Sequence, residues 1–108
     1  MKISSILSKD FTLLTNNLNI EYEGCYATDL LSAAIKSANP NNLLVTIISH
    51  STTIALAIMI DLKAIIISEN RPISNEMIQK ANDESIALIQ TPMKTHEVII
   101  NLFQRGLI

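Results

Sequence analysis

The chain has 108 residues, of which 48% are hydrophobic and 17% charged, with a formal net charge of -2. This length suits one domain that buries a core without crosslinks, and the apolar fraction excludes a disordered chain. Eight basic residues that nowhere form a stripe, and four aromatics of which Phe11 and Phe103 read as core, exclude a nucleic-acid footprint.

In chain order, Ile3, Ile6 and Leu7 have helical spacing within Lys2–Asp10, and "FTLLT" (Phe11–Thr15) follows as a short strand. Asn16, Asn17 and Asn19 are turn residues, after which "IEYE" alternates as a half-buried edge strand running to Gly24. "ATDLLSAAIKSANP" predicts an amphipathic helix with Thr28 as N-cap and Asp29 in its first turn. Its buried face is Leu30, Leu31, Ala34, Ile35 and Ala38, and it ends before Pro40.

The next stretch, "LLVTIISHSTTIALAIMI" (Leu43–Ile60), carries no lysine, arginine or carboxylate. A membrane span of about 20 apolar residues would place Ser49-His50-Ser51-Thr52-Thr53 in hydrocarbon at high cost. A strand over Leu43–Ile48, a turn at Ser49-His50, and a buried helix capped by Ser51 or Thr52 use the same residues without that cost. No membrane segment is expected.

The unit then recurs. "AIIIS" (Ala64–Ser68) reads as a second apolar strand. Ser74, bracketed by Ile73 and Ile78, caps a helix with Met77, Ile78 and Ala81 buried and Glu76 to Glu84 solvated. "IALIQ" (Ile86–Gln90) reads as a third strand. Thr91-Pro92 opens a last helix with Val98, Ile99, Leu102 and Phe103 on its core face, closed by Arg105 and Gly106. Tyr22 and Tyr26 are core or interface rings, and Met59 and Met77 core gap fillers; Ile100 lies off the core face and points to self-association as a homodimer.

Apolar strands alternating with helices predict an α/β three-layer domain over residues 1–108, with a mainly parallel sheet of about five strands and helices on both faces. The lone Cys25 reads as a semi-buried hydrophobe, and the opening residues lack a secretory leader, so a reducing cytoplasm is expected.

In such sheets ligands lie beyond the carboxyl ends of the strands. That rule selects three loops, Ser49–Thr53, Ser68–Pro72 and Gln90–His96, whose outer two strands stand roughly 10 Å apart at about 4.8 Å per strand. His50, Glu69 and Thr91 then face one small ligand, with anion capture at the helices that open near Thr52 and Thr95. With Gly24 and Gly106 as the only glycines, phosphate loops and dinucleotide fingerprints are excluded. His50 and His96 with Glu69, Glu97 or Asp29 match no compact metal motif, so neither metal nor cofactor is expected. Ser49 and Ser51 flank His50 without the glycines of a nucleophile turn, so no triad hydrolase is expected.

The segments "GCYATDLLSAAI", "LVTIISHSTTIALAIMIDLKAIIIS" and "ISNEMIQKANDESIALIQTPMKTHEVIINLF" resemble the DRTGG domain family, similar to the N-terminal domain of HPr kinase/phosphorylase, over nearly all of the chain from about Ile20. The Asp-Arg-Thr-Gly-Gly signature itself is absent, as is a kinase domain with its phosphate loop. The resemblance implies a regulatory module and places Asp29, Thr46, His50 and Thr91 at its site. The expectation is therefore a non-enzymatic domain that binds a small ligand, such as a nucleotide or phosphorylated metabolite, or a partner protein. Its ligand-facing residues are Asp29, Thr46, Ser49, His50, Thr52, Glu69, Thr91 and Thr95. The alternative is a small enzyme using His50 with Asp29 or Glu69 as acid and base.

Overall fold

Three strands whose side chains are buried on both faces occupy the middle of a five-stranded sheet. The computed structural model describes residues 1–108. Its strands are β1 (Thr12–Leu13), β2 (Cys25–Ala27), β3 (Leu43–Thr46), β4 (Ala64–Ile67) and β5 (Ala87–Gln90), in the spatial order β1-β5-β4-β3-β2. β2 to β5 run parallel, and β1 joins β5 antiparallel. The helices α1 (Leu31–Ser37), α2 (Ser51–Met59) and α3 (Asn75–Asp83) connect successive parallel strands, and α4 (Thr95–Gln104) follows β5.

Side-chain alternation along the strands explains the layers. Leu44, Ile65, Ile67 and Leu88 pack with Ile54, Leu56, Met77 and Ala81 of α2 and α3. Their neighbours Leu43, Val45, Ile66 and Ile89 face the other way, onto Val98 and Leu102 of α4 and onto Ile3, Ile6, Phe11 and Tyr22. A strand covered on both faces has no polar side, so β3 to β5 read as unbroken apolar runs. The expected mainly parallel sheet with helices on both faces is what forms, each strand slightly shorter than its apolar run.

The expected edge strand over Ile20–Gly24 is a correction. Ile20 and Tyr22 do alternate into the core, but their backbone pairs with the N-terminal residues: Ile3 N–H donates to the Ile20 carbonyl (3.0 Å) and Tyr22 N–H to that of Met1 (2.7 Å). The sheet strand is β2, reached through Gly24 at φ +71°, where an added Cβ would lie 3.0 Å from the Asn42 side chain. The buried Asn42 amide closes this corner by donating to the Glu23 carbonyl (2.8 Å).

Other expectations shift at the helix ends. α1 begins at Leu31; Thr28 Oγ1 accepts from Leu30 N–H (3.0 Å) in a turn ahead of the helix, and Leu30 is left 65% exposed. Ile35, Met59 and Phe103 are also exposed, against their expected core positions. One residue is about 100° of helix, so Phe103, next to the buried Leu102, points away from the sheet. α4 starts at Thr95, where Glu97 accepts from Lys94 N–H (2.9 Å), while Thr91 is buried in the preceding loop. The Ser74 cap on α3 forms as expected, accepting from Met77 N–H at 3.2 Å.

Three helices end in one geometry. After α2, α3 and α4 come the left-handed residues Asp61 (φ +58°), Ser85 (φ +56°) and Gly106 (φ +73°). Each is followed by an apolar residue whose N–H returns to the helix: Leu62 to Ala57, Ile86 to Ala81, Leu107 to Leu102. These are Schellman motifs, in which the returning bond and an apolar clasp satisfy the last carbonyls. Only the third carries the glycine such a turn favours, so Ser85→Gly is expected to stabilise the fold by about 0.5–1 kcal/mol. Gly106→Ala, where an added Cβ meets nothing within 4 Å, should lose about 1 kcal/mol through backbone strain alone. Urea denaturation of the two variants measures both; equal midpoints for all three proteins would refute this account.

Burial in β2 pushes the Cys25 thiol up from 9.0 to about 11. A raised value means that the folded state holds the proton more tightly. The associated stability is complete below pH 9 and is lost as pH rises toward 11, a decline that Cys25→Ala should reduce. The raised value also predicts that a thiol reagent at pH 8 attacks the native protein at least about 10-fold more slowly than the unfolded chain.

Candidate functional site

The parallel register aligns Thr46, Ile67 and Gln90 at the carboxyl ends of β3, β4 and β5, so the three loops predicted to converge do lie side by side. Backbone bonds tie them together. Ser68 N–H donates to the Thr46 carbonyl (3.0 Å), Thr91 N–H to that of Ile67 (3.1 Å), and Glu69 and Asn70 N–H to those of Met93 and Thr91 (both 2.8 Å). Glu69 and Asn70 are consecutive left-handed residues, at φ +61° and +51°.

Most of the edge hydroxyls are engaged internally. Thr46, fully buried, donates from Oγ1 to Asp29 Oδ1 (3.0 Å) and accepts from Ile48 N–H (3.1 Å); Ile47 N–H donates to the same Asp29 oxygen (2.8 Å). Asp29 thus links the start of α1 to the exit of β3 rather than standing in the first turn of its helix. Ser49 donates to the Pro72 carbonyl of the neighbouring loop. Thr91 Oγ1 accepts from Met93 N–H (3.2 Å), and the Thr95 hydroxyl shares a 2.8 Å bond with that of the buried Ser68. Buried hydroxyls without such partners would destabilise the loops, and no buried polar side-chain atom lacks one.

His50 corrects the expected cap of α2. It is the N-cap itself, its Nδ1 accepting from Thr52 N–H (3.2 Å) and lying 3.1 Å from Thr52 Oγ1. A ring that accepts at Nδ1 carries its proton on Nε2 when neutral, which leaves that N–H directed away from the cap. Neither Asp29 nor Glu69 bonds to His50, so the acid–base pairs of the enzyme alternative are not assembled. No group of three or more His, Cys, Asp and Glu residues is placed to hold a metal.

The structure therefore joins Asp29 to Thr46, Thr95 to Ser68, and the Glu69 backbone to the Thr91 loop. The His50–Thr52 pair and the Glu69 side chain stay exposed and separate. Two residues of the predicted Ser68–Pro72 loop were not singled out in the sequence: Ser68, buried and bonded to Thr95, and Arg71, exposed, whose carbonyl accepts from Gln90 Nε2 (2.8 Å). A lone cation just after an apolar strand was the only available signal. The edge is an open surface, where Thr52 alone among the candidates lines a cavity. The largest concavity, about 640 Å³, lies at the opposite edge, among Glu23, Asn41, Lys63 and Ser85. No helix is long and apolar enough to cross a membrane.

No protein-family model matches the sequence, and no curated protein matches it. Among solved structures, the chain is similar to the CBS and DRTGG domains of the regulatory region of a Clostridium perfringens pyrophosphatase, complexed with its activator diadenosine tetraphosphate. The TM-score is 0.73 at 12% identity, over 91% of this chain and 42% of that one. This chain spans less than half the length of that structure. The five-stranded, mostly parallel architecture described above is a DRTGG-like α/β fold.

Proposed function

We propose that residues 1–108 act as one regulatory domain that binds a small ligand, a nucleotide or phosphorylated metabolite, across the carboxyl edge of the sheet. The observation that carries this reading is the left-handed pair Glu69–Asn70 at the end of the central strand. A left-handed glutamate costs about 1 kcal/mol, an asparagine less, and two in succession outside a helix cap are the kind of strained backbone that concentrates at ligand clamps. Exposed groups of both polarities lie on this loop and the other loops of the same edge: Asp29 and Glu69 offer acceptors suited to ribose hydroxyls, and His50, Arg71 and Lys94 offer donors suited to phosphate. The similar structure, a regulatory region in complex with a dinucleotide activator, supports the same assignment. On this reading the protein is cytoplasmic, non-enzymatic and a homodimer. The absence of an enclosed cavity along the edge favours a second reading, a partner protein docked on the same loops.

The test is a thermal-shift and calorimetric screen of nucleotides and phosphorylated metabolites. A ligand at about 100 times its Kd adds ~2.7 kcal/mol to stability and raises Tm by about 10 °C or more. Arg71→Ala and Glu69→Gln should each weaken binding about 10-fold or more without changing the unliganded Tm. No response to any compound, together with capture of a partner by the native edge but not by these variants, would favour the second reading; no response in either assay would end both.

A further inference from the structure

We propose that the trench at the amino edge of the sheet binds a short free peptide in extended form. It lies at the end of the strands opposite the proposed nucleotide site and stands independently of it. One wall is the segment Ile20–Glu23; the other is formed by Asn41, Lys63 and Ser85, at the entries to β3, β4 and β5. The space between them, about 640 Å³, is of the size that small-ligand sites have. The first wall is an open strand edge. In extended chain, successive residues turn their N–H and C=O to alternate sides. The Tyr22 N–H and the Ile20 and Tyr22 carbonyls bond to Met1 and Ile3. Glu23 N–H points the other way, donating to the Asn41 carbonyl (2.8 Å). Glu21 lies two residues before Glu23, so its own N–H and C=O point to the Asn41 side, into the trench, and neither has a partner within the protein. The Lys63 N–H on the facing wall has none either. A free donor and acceptor on one residue of an extended segment are what an added strand pairs with.

Length and charge select the occupant. Leu43, Ala64 and Ala87 are in register, so Asn41 and Ser85, each two residues earlier, stand two strand spacings apart, about 10 Å. Three extended residues at about 3.3 Å each cover that span. The lining carries both signs: Glu21 and Glu23 against Lys63 and the Met1 amine, which is bonded to the Tyr22 carbonyl (3.0 Å). Lys2 stands across from Glu21, and Asp61 and Glu84 border the adjoining hollow that shares Lys63 and Ser85. This mixture suits a zwitterion whose ammonium meets Glu21 or Glu23 and whose carboxylate meets Lys63. A phosphorylated ligand would meet more carboxylates than amines here, unlike at the carboxyl edge.

Titration of the full chain with the peptide Ala-Ala-Ala, followed by calorimetry and by the Glu21 and Lys63 amide resonances in two-dimensional NMR, tests this. A Kd of about 1 mM or tighter is expected, since so small a ligand has few atoms to contribute. Acetylating the peptide's amine or amidating its carboxylate should each weaken binding about 5-fold. Lys63→Ala should weaken the free peptide by as much and leave the amidated one unchanged. Glu21→Pro removes a carboxylate and an N–H that bonds nothing within the protein, and should weaken binding at least about 5-fold with Tm unchanged. Arg71→Ala, at the opposite edge, should have no effect. No binding up to about 20 mM overturns the site while leaving nucleotide binding at the carboxyl edge standing. A doubly blocked peptide that binds as well as the free one overturns the free-peptide assignment in favour of an internal segment of a partner chain. Binding that shifts neither resonance, or that survives Lys63→Ala and Glu21→Pro together, places the peptide elsewhere and overturns the site.

Discussion

The rest of the structure depends on the burial of β3, β4 and β5 on both faces at once. Ala64 to Ile67 are all fully buried, and adjacent residues of each strand belong to opposite layers of the core. A slip of one residue in any of these strands would exchange the two layers wholesale, so the register is strongly specified. Truncating one such isoleucine to alanine in a core of this kind costs about 2–5 kcal/mol, a large share of the stability of a small domain. The register in turn aligns Thr46, Ile67 and Gln90, and with them the three loops that follow.

The two edges of the sheet are finished by different chemistry. At the amino edge, helix ends are closed mainly by backbone, through Schellman turns at Asp61 and Ser85 that return the chain to β4 and β5. At the carboxyl edge the side chains contribute as well: Asp29, Thr46, Ser68, Thr91 and Thr95 hold the loops through hydroxyl and carboxylate bonds. Much of the polarity of the carboxyl edge is thus architectural. What it leaves exposed are Asp29, His50, Glu69, Arg71 and Lys94, donors and acceptors carried on the loops that follow β2 to β5.

The helical faces divide in a similar way. α3 is ordinary solvated helix on its outer side, and α4 mixes apolar and charged groups, while α1 and α2 together present an uncharged strip that starts beside Asp29 and Thr52.

The sequence alone determined the class of the fold, because an unbroken apolar run such as "AIIIS" is stable only when covered on both faces, and its alternation with helices leaves few other ways to pack. It also determined the loops at the carboxyl edge and the Ser74 and Gly106 helix ends, whose residue types carry their own geometry. Tertiary structure decided what periodicity cannot express. Ile20 and Tyr22 alternate as a strand does, yet their backbone pairs with Met1 and Ile3, since period two reports which side is buried and not which strand is adjacent. Phe103 and Met59 are apolar and helical but exposed, because the width of the buried stripe depends on what each helix packs against. Whether Thr46 and Thr95 face a ligand or bond to the frame was likewise a matter of partners distant in sequence, Asp29 and Ser68, which only the folded chain brings within reach.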